Sequence, residues 1–163
     1  MKVLWAPWRL SYVSQRDSNT GCIFCELPRA EGAEARKDAL VLYTDDQSQV
    51  VMNRFPYAHA HLMVAPRVHT ADFAGLSAAT AASMHAALAS AQRALDEVYS
   101  PAGFNIGMNL GRVGGAGVAD HLHWHIVPRW EGDTNFMPLL ADTRVMPEYI
   151  EEAYDRLLPL FQD

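Results

Sequence analysis

The chain has 163 residues, half of them hydrophobic and a fifth charged, with a formal net charge of −6. That length suits one domain, residues 1–163, able to bury a proper core. The acidic balance argues against nucleic acid as a partner but leaves room for a local pocket that takes a phosphorylated small molecule.

No apolar run approaches a membrane span. In the first nine residues Pro7, Trp8 and Arg9 interrupt any signal-peptide core. The expectation is a cytoplasmic protein without a membrane partner. Residues 1–38 read as irregular, with an Ala/Glu/Arg-rich segment near 28–37 that suits a helical turn or a loop. Both cysteines fall in Cys22-Ile23-Phe24-Cys25. In a reducing compartment a C-x-x-C is a metal half-site or a redox pair. The redox version wants a βαβ setting that is not visible here, and a zinc half-site needs two more ligands, which seven histidines are available to supply.

Three strands follow, at about 39–44, 48–53 and 61–66, with Asp45-Asp46-Gln47 as a hairpin turn between the first two. Residues 77–99 form the clearest helix. Ser77 is its N-cap, and Met84, Leu88, Ala91, Leu95 and Val98 repeat at three and four to give one apolar face. His85 in that helix reads as a surface residue. Ser100-Pro101-Ala102-Gly103 breaks the chain, and Phe104–Asn109 alternates as a fourth strand. A glycine-rich loop, Gly111–Gly117, leads into His121-Leu122-His123-Trp124-His125-Ile126. A last helix runs from about Pro147 to Phe161. The order predicts an α+β fold, an antiparallel sheet of about five strands with one long central helix and a C-terminal helix.

Alternation at period two places His121, His123 and His125 on one face of a strand, with Leu122, Trp124 and Ile126 behind them in the core. Two chemistries exploit such a row: metal ligation through neutral imidazole, or nucleophilic and acid–base work. Four glycines in the preceding loop allow backbone N–H groups to converge on an anion, and Asn109 stands at the loop's entrance. This grouping favours attack on phosphorus, with His123, flanked by the other two, as the nucleophile.

The segment Asn105-Ile106-Gly107-Met108-Asn109 … Gly115-Ala116-Gly117-Val118-Ala119-Asp120-His121-Leu122-His123-Trp124-His125 resembles the signature of the histidine triad (HIT) superfamily. Asn53 through Pro66 is similar to its second segment. The flanks Leu4–Arg9 and Pro128–Phe136 resemble the bacterial diadenosine tetraphosphate phosphorylase branch, which implies an HIT-like fold and an enzyme. The resemblance makes His123 the residue that becomes adenylylated, with His125 on the phosphate or leaving group and Asn109 on a phosphate oxygen. Asn53 would bind the ribose, and His61, Gly115, Ala116, Gly117 and Trp130 would serve nucleotide and phosphate binding. Ala60 replaces the family's usual glycine, His59 stands where proline is common, and Gly117 stands where many members carry Ser or Thr.

Members with C-x-x-C bind structural zinc, which implies Cys22, Cys25, His69 and His121 as its ligands, and Mg²⁺ would arrive only with the nucleotide. The implied reaction is phosphorolysis of diadenosine tetraphosphate to ATP and ADP. Hydrolysis of dinucleoside polyphosphates or nucleotide phosphoramidates is the alternative, and a nucleotide-binding module without chemistry is the non-enzyme one. Trp5, Trp8 and Trp130 suit either stacking on a base or packing, and Arg112 and Arg129 suit distal phosphates. Family members are commonly dimers, so a homodimer is expected.

Overall fold

The computed structural model describes residues 21–133 and 146–162; the expectations for Trp5 and Trp8 and the flanking residues 1–9 and 134–136 fall outside them. Among the described residues no helix is long and apolar enough to cross a membrane.

Helix α1, Ile23–Glu26, is a single turn and runs into a 3-10 turn at Leu27–Arg29; helix α2, Ala33–Asp38, follows. The segment near 28–37 is therefore partly helical. Leu40 carries a φ of 58°, so strand β1 starts only at Val41 and runs to Thr44. Strand β2 is Ser48–Met52. The turn between them is built as expected, because the Asp45 carboxylate accepts the backbone N–H groups of Gln47 and Ser48 at 2.7 and 2.6 Å. Strand β3 is Leu62–Pro66.

The long helix α3, Ala78–Tyr99, is capped by Ser77, whose hydroxyl accepts from the Thr80 N–H at 3.1 Å. It ends at Ser100, in the left-handed region at φ 44°. Strands β4, Gly103–Met108, and β5, Trp124–Arg129, complete an antiparallel sheet of order β1-β2-β3-β5-β4. Helix α4, Ile150–Leu157, begins three residues after Pro147 and tightens into a 3-10 turn at Leu158–Phe161.

The period-two alternation of the strands sorts side chains onto two faces. On one, Val50, Leu62, Val64 and Ile126 pack against Met84, Ala91 and Leu95 of α3 and Tyr154 and Leu157 of α4. On the other, Val51, Met63 and Ala65 pack beneath Phe24 of α1. This second face carries the histidines. Strand β5 starts later than the alternation predicts, so His121 and His123 lie ahead of it and only His125 stands within it, opposite Met63 and Gly107. Leu122 and Ile126 are buried as expected, while Trp124 is half-buried beside Phe73.

Candidate functional site

All three histidines of the row are buried, at 1, 3 and 8% exposure for His121, His123 and His125. A buried imidazole must have its ring nitrogens assigned by partners, and here the partners determine all three tautomers.

At His121, Nε2–H donates to the carbonyl of Pro66 at 2.8 Å, which leaves the lone pair on Nδ1. That nitrogen faces Cys22 Sγ at 3.2 Å, Cys25 Sγ at 3.6 Å and His69 Nδ1 at 3.3 Å, and Cys25 Sγ lies 3.3 Å from His69 Nδ1. The four ligand atoms all lie within 4.8 Å of one another. Ligands at about 2.0–2.3 Å from one tetrahedral ion stand roughly 3.3–3.8 Å apart. These are four lone pairs turned to one centre, and the donor set fits a closed metal site.

At His123, Nδ1–H donates to the backbone carbonyl of His121 at 2.9 Å, which leaves the lone pair on Nε2. Its ring lies against Phe24 with centroids 4.8 Å apart. Burial holds its pKa below the ordinary histidine value, so the imidazole is neutral near pH 7.

His125 is assigned through a relay. The Tyr57 N–H donates to His61 Nδ1 at 3.1 Å, and the Asn53 side-chain amide reaches the same nitrogen at 3.2 Å. His61 therefore carries its proton on Nε2, which donates to His125 Nδ1 at 3.0 Å. The His125 proton is thereby placed on Nε2, a buried donor that meets no acceptor among the described residues. Burial, with the neighbouring His123 adding to it, pushes the His125 pKa down to about 4. It is a neutral donor, not a cation.

The expected site residues divide between this arrangement and the rest of the sheet. His61, 1% exposed, stands behind His125 with both nitrogens engaged. Asn53 Oδ1 accepts from Phe55 N–H at 3.0 Å, closing the turn that follows β2. Ala60, just before His61, stands at φ 54°, in the left-handed region that favours glycine. The glycine loop is folded on itself: Gly115 N–H bonds the Arg112 carbonyl, Ala116 N–H bonds the Gly111 carbonyl, and the Asn109 amide reaches the Gly115 carbonyl at 3.4 Å. Donation to an anion from those two backbone amides requires the turn bonds to open. A Cβ at Gly114 would sit 2.3 Å from the Leu110 carbonyl oxygen, so no side chain fits there.

Trp130 lies at the far end of β5, its indole N–H on the Tyr99 carbonyl at 3.2 Å and its ring near His59. Seven residues at about 3.3 Å each put it on the order of 20 Å from His123. Arg129 is engaged by Asp133 and Asn105, and Arg112 is exposed on the loop. Three site neighbours escaped sequence reasoning. Phe24 walls His121 and His123, and Tyr57 lies over His61 and His125. Buried Gln49 donates to the Phe24 carbonyl at 2.6 Å. Only a glutamine at the second position of a short strand, just ahead of Val50-Val51-Met52, hinted at the last.

Comparison with known proteins places this geometry. The HIT domain model matches residues 34–132. An AP-4-A phosphorylase of Mycobacterium tuberculosis is 34% identical over 158 residues, covering 92% of this chain and 79% of the relative. A HIT-like protein of Saccharolobus solfataricus is 29% identical over 136 residues, covering 81% of this chain and 94% of the relative. The crystal structure of a Zn-bound histidine triad family protein from Mycobacterium smegmatis superposes with a TM-score of 0.65 at 28% identity, covering 86% of this chain and 92% of that one.

Proposed function

The chain belongs to the HIT domain family, and on that premise we propose that it is a nucleotidyltransferase that cleaves diadenosine tetraphosphate through an adenylyl-histidine at His123, with inorganic phosphate as acceptor. The observation that carries this reading is the pair of tautomers at the centre of the site: a lone pair on His123 Nε2 beside an N–H on His125 Nε2 that meets no acceptor among the described residues.

In the first step His123 Nε2 attacks the α-phosphorus, a P–N bond forms, and the P–O bond to the distal part breaks to release ATP. The neutral His125 Nε2–H donates to an oxygen on that phosphate, where charge develops. Relayed through His61 to Tyr57 N–H and Asn53, it is held in the donating tautomer without being charged. In the second step a phosphate oxygen attacks the same phosphorus, the P–N bond breaks, ADP leaves, and the electron pair returns to Nε2. Asn53 serves the ribose, and Asn109 with Gly115, Ala116 and Gly117 the phosphate oxygens, on rearrangement of the loop. Mg²⁺ enters with the polyphosphate. Trp130 serves packing within its own chain in this reading.

Cys22, Cys25, His69 and His121 would hold zinc, which as a closed four-ligand site would supply a structural anchor and take no part in the chemistry. The similarity to the AP-4-A phosphorylase favours phosphate over water as acceptor. The protein acts in the cytoplasm as a homodimer built across the exposed edge strand β4.

Product analysis tests the reading. Incubation with diadenosine tetraphosphate and phosphate yields ATP plus ADP. AMP plus ATP, unchanged by added phosphate, would make water the acceptor and the protein a hydrolase. No turnover under either condition would leave a binding module.

A further inference from the structure

Strand β2 is buried along its whole length, yet its second residue is a glutamine with no exposed surface. A buried primary amide is costly unless its groups are bonded. Here one half is: Gln49 Nε2–H donates to the carbonyl of Phe24 at 2.6 Å. The other half is not, since Gln49 Oε1 is buried and meets no donor among the described residues. The amide is retained for its N–H.

The need for that donor can be read from α1. In a helix the Phe24 carbonyl would accept from the backbone N–H four residues on. Residue 28 is proline, which has none. The preceding bond in the series is intact, Leu27 N–H to the Ile23 carbonyl. Phe24 is 1% exposed, so water does not reach the gap freely. Gln49 supplies from the sheet the proton that Pro28 lacks.

We propose that Gln49 is a positioning residue that couples the metal ligands to the catalytic histidine, one side-chain N–H clamping the Cys22–Cys25 turn onto the sheet. The bonded carbonyl lies between the two cysteines, so the clamp sets where their thiols stand relative to His69 and His121. The same residue's ring packs on His121 and His123, at 5.3 and 4.8 Å. The clamp thereby fixes one wall of the nucleophile. This inference rests on the reading of Cys22, Cys25, His69 and His121 as a zinc site, and its test separates the two.

The variant Gln49→Met keeps the length and loses the donor. Zinc competition against a colorimetric chelator is expected to show affinity lowered about 10- to 100-fold, as for other losses of a ligand's supporting bond. The His123 ring proton resonances, shifted by the Phe24 ring, are expected to move towards unstructured values. Adding Pro28→Ala restores a backbone N–H four residues after Phe24, and the double variant regains both properties. Loss of side-chain packing alone is not rescued by that change. Unaltered zinc affinity and His123 resonances in Gln49→Met, or no recovery in the double variant, overturn the proposal.

If wild-type protein binds no zinc, the metal reading fails, and the His123 resonances still test the clamp. Should Gln49→Met not fold, the wild-type side-chain amide of Gln49 decides the matter by NMR. Protection from hydrogen exchange and coupling to the Phe24 carbonyl are expected, and free exchange overturns the clamp.

Discussion

His123 donates its Nδ1–H to the backbone carbonyl of His121, 2.9 Å away, so the residue that faces the metal ligands also sets the tautomer of its neighbour. The bond leaves the lone pair on Nε2, the nucleophile of the proposed reaction. His123→Ala is expected to lower kcat by about 10³-fold or more, since no other group here carries that lone pair at the same place. The ring packs on Phe24 and its removal leaves a cavity, so a cost of about 1–3 kcal/mol in stability accompanies the loss, with a folded protein remaining. Steady-state kinetics and circular dichroism on the purified variant check both halves. Substantial residual turnover sinks the mechanism.

Protonation of the site has a definite sign. Burial first, then the neighbouring His123, pushes His125 down to about 4 from an ordinary value of 6.5. Between those two values the unfolded chain takes up a proton that the folded site refuses. Stability therefore rises with pH through this window: it is fully present above about 6.5 and is lost as pH falls towards 4. His121 and His123 are shifted in the same direction, mainly by burial, and reinforce the slope. Urea midpoints measured from pH 8 to pH 4 are expected to fall across the window, and less steeply in His125→Asn. A flat profile in the native protein would contradict the burial described.

Much of the fold was legible from local pattern. The apolar face of residues 77–99, the Asp45 turn and the short strand runs of β2 and β3 each arise from patterns within a few residues of sequence. The C-x-x-C of Cys22 and Cys25 carries its chemistry in its residue types, while His69 and His121 as its partners rested on resemblance alone. What could not be read is what depends on distant chain. Phe24 meets His123 only because α1 folds across the second face of the sheet. The Tyr57–His61–His125 relay needs the pairing of β3 with β5. The alternation also placed His121 and His123 inside a strand. The structure begins β5 only at Trp124, leaving His121 to turn towards Cys22 and Cys25 instead of pairing.

Zinc ligation gives a third expected outcome. The four donor atoms converge from α1, from the segment after β3 and from the approach to β5, so one ion would join three parts of the chain. Metal analysis is expected to return one zinc per chain. Stripping it with a chelator, or Cys22→Ser with Cys25→Ser, should lower the thermal midpoint by about 5 °C or more. The structure retains a large core on the α3 side, so unfolding outright is not expected. Calorimetry with and without metal is the measurement, and equal midpoints would remove the structural role.

Ala60 sits at φ 54° with 5% exposure, between His59 and the relay histidine His61. Alanine tolerates the left-handed region at a cost of roughly 1–2 kcal/mol, whereas a β-branched side chain is strained further by its second γ carbon. Ala60→Val is expected to destabilise the protein by more than about 2 kcal/mol and to lower kcat by displacing His61. Ala60→Gly should stay within about 1 kcal/mol of the native protein, because relief of strain is offset by a freer unfolded chain and a lost buried methyl. Denaturant titration of the pair distinguishes this account from simple crowding, under which the glycine variant would be destabilised by more than about 1 kcal/mol.

Among the described residues the sheet ends at β4, where Asn105, Ile106 and Gly107 are exposed and Ile106 keeps 45% of its surface. Leu110, half exposed, follows just beyond the strand. An edge with unpaired backbone groups and apolar side chains is a template for another strand, and proteins that leave it bare invite association. A second copy brought up antiparallel continues the sheet and covers Ile106 with its own equivalent across a two-fold axis. Ile106→Glu then sets two carboxylates face to face in a low-dielectric contact, on a chain whose net charge is already −6. Light scattering on the native protein at micromolar concentration is expected to give twice the chain mass, and the variant the single mass with its zinc content unchanged. A native protein that runs as a monomer would remove the dimer, and a variant that remains a dimer would move the interface away from β4.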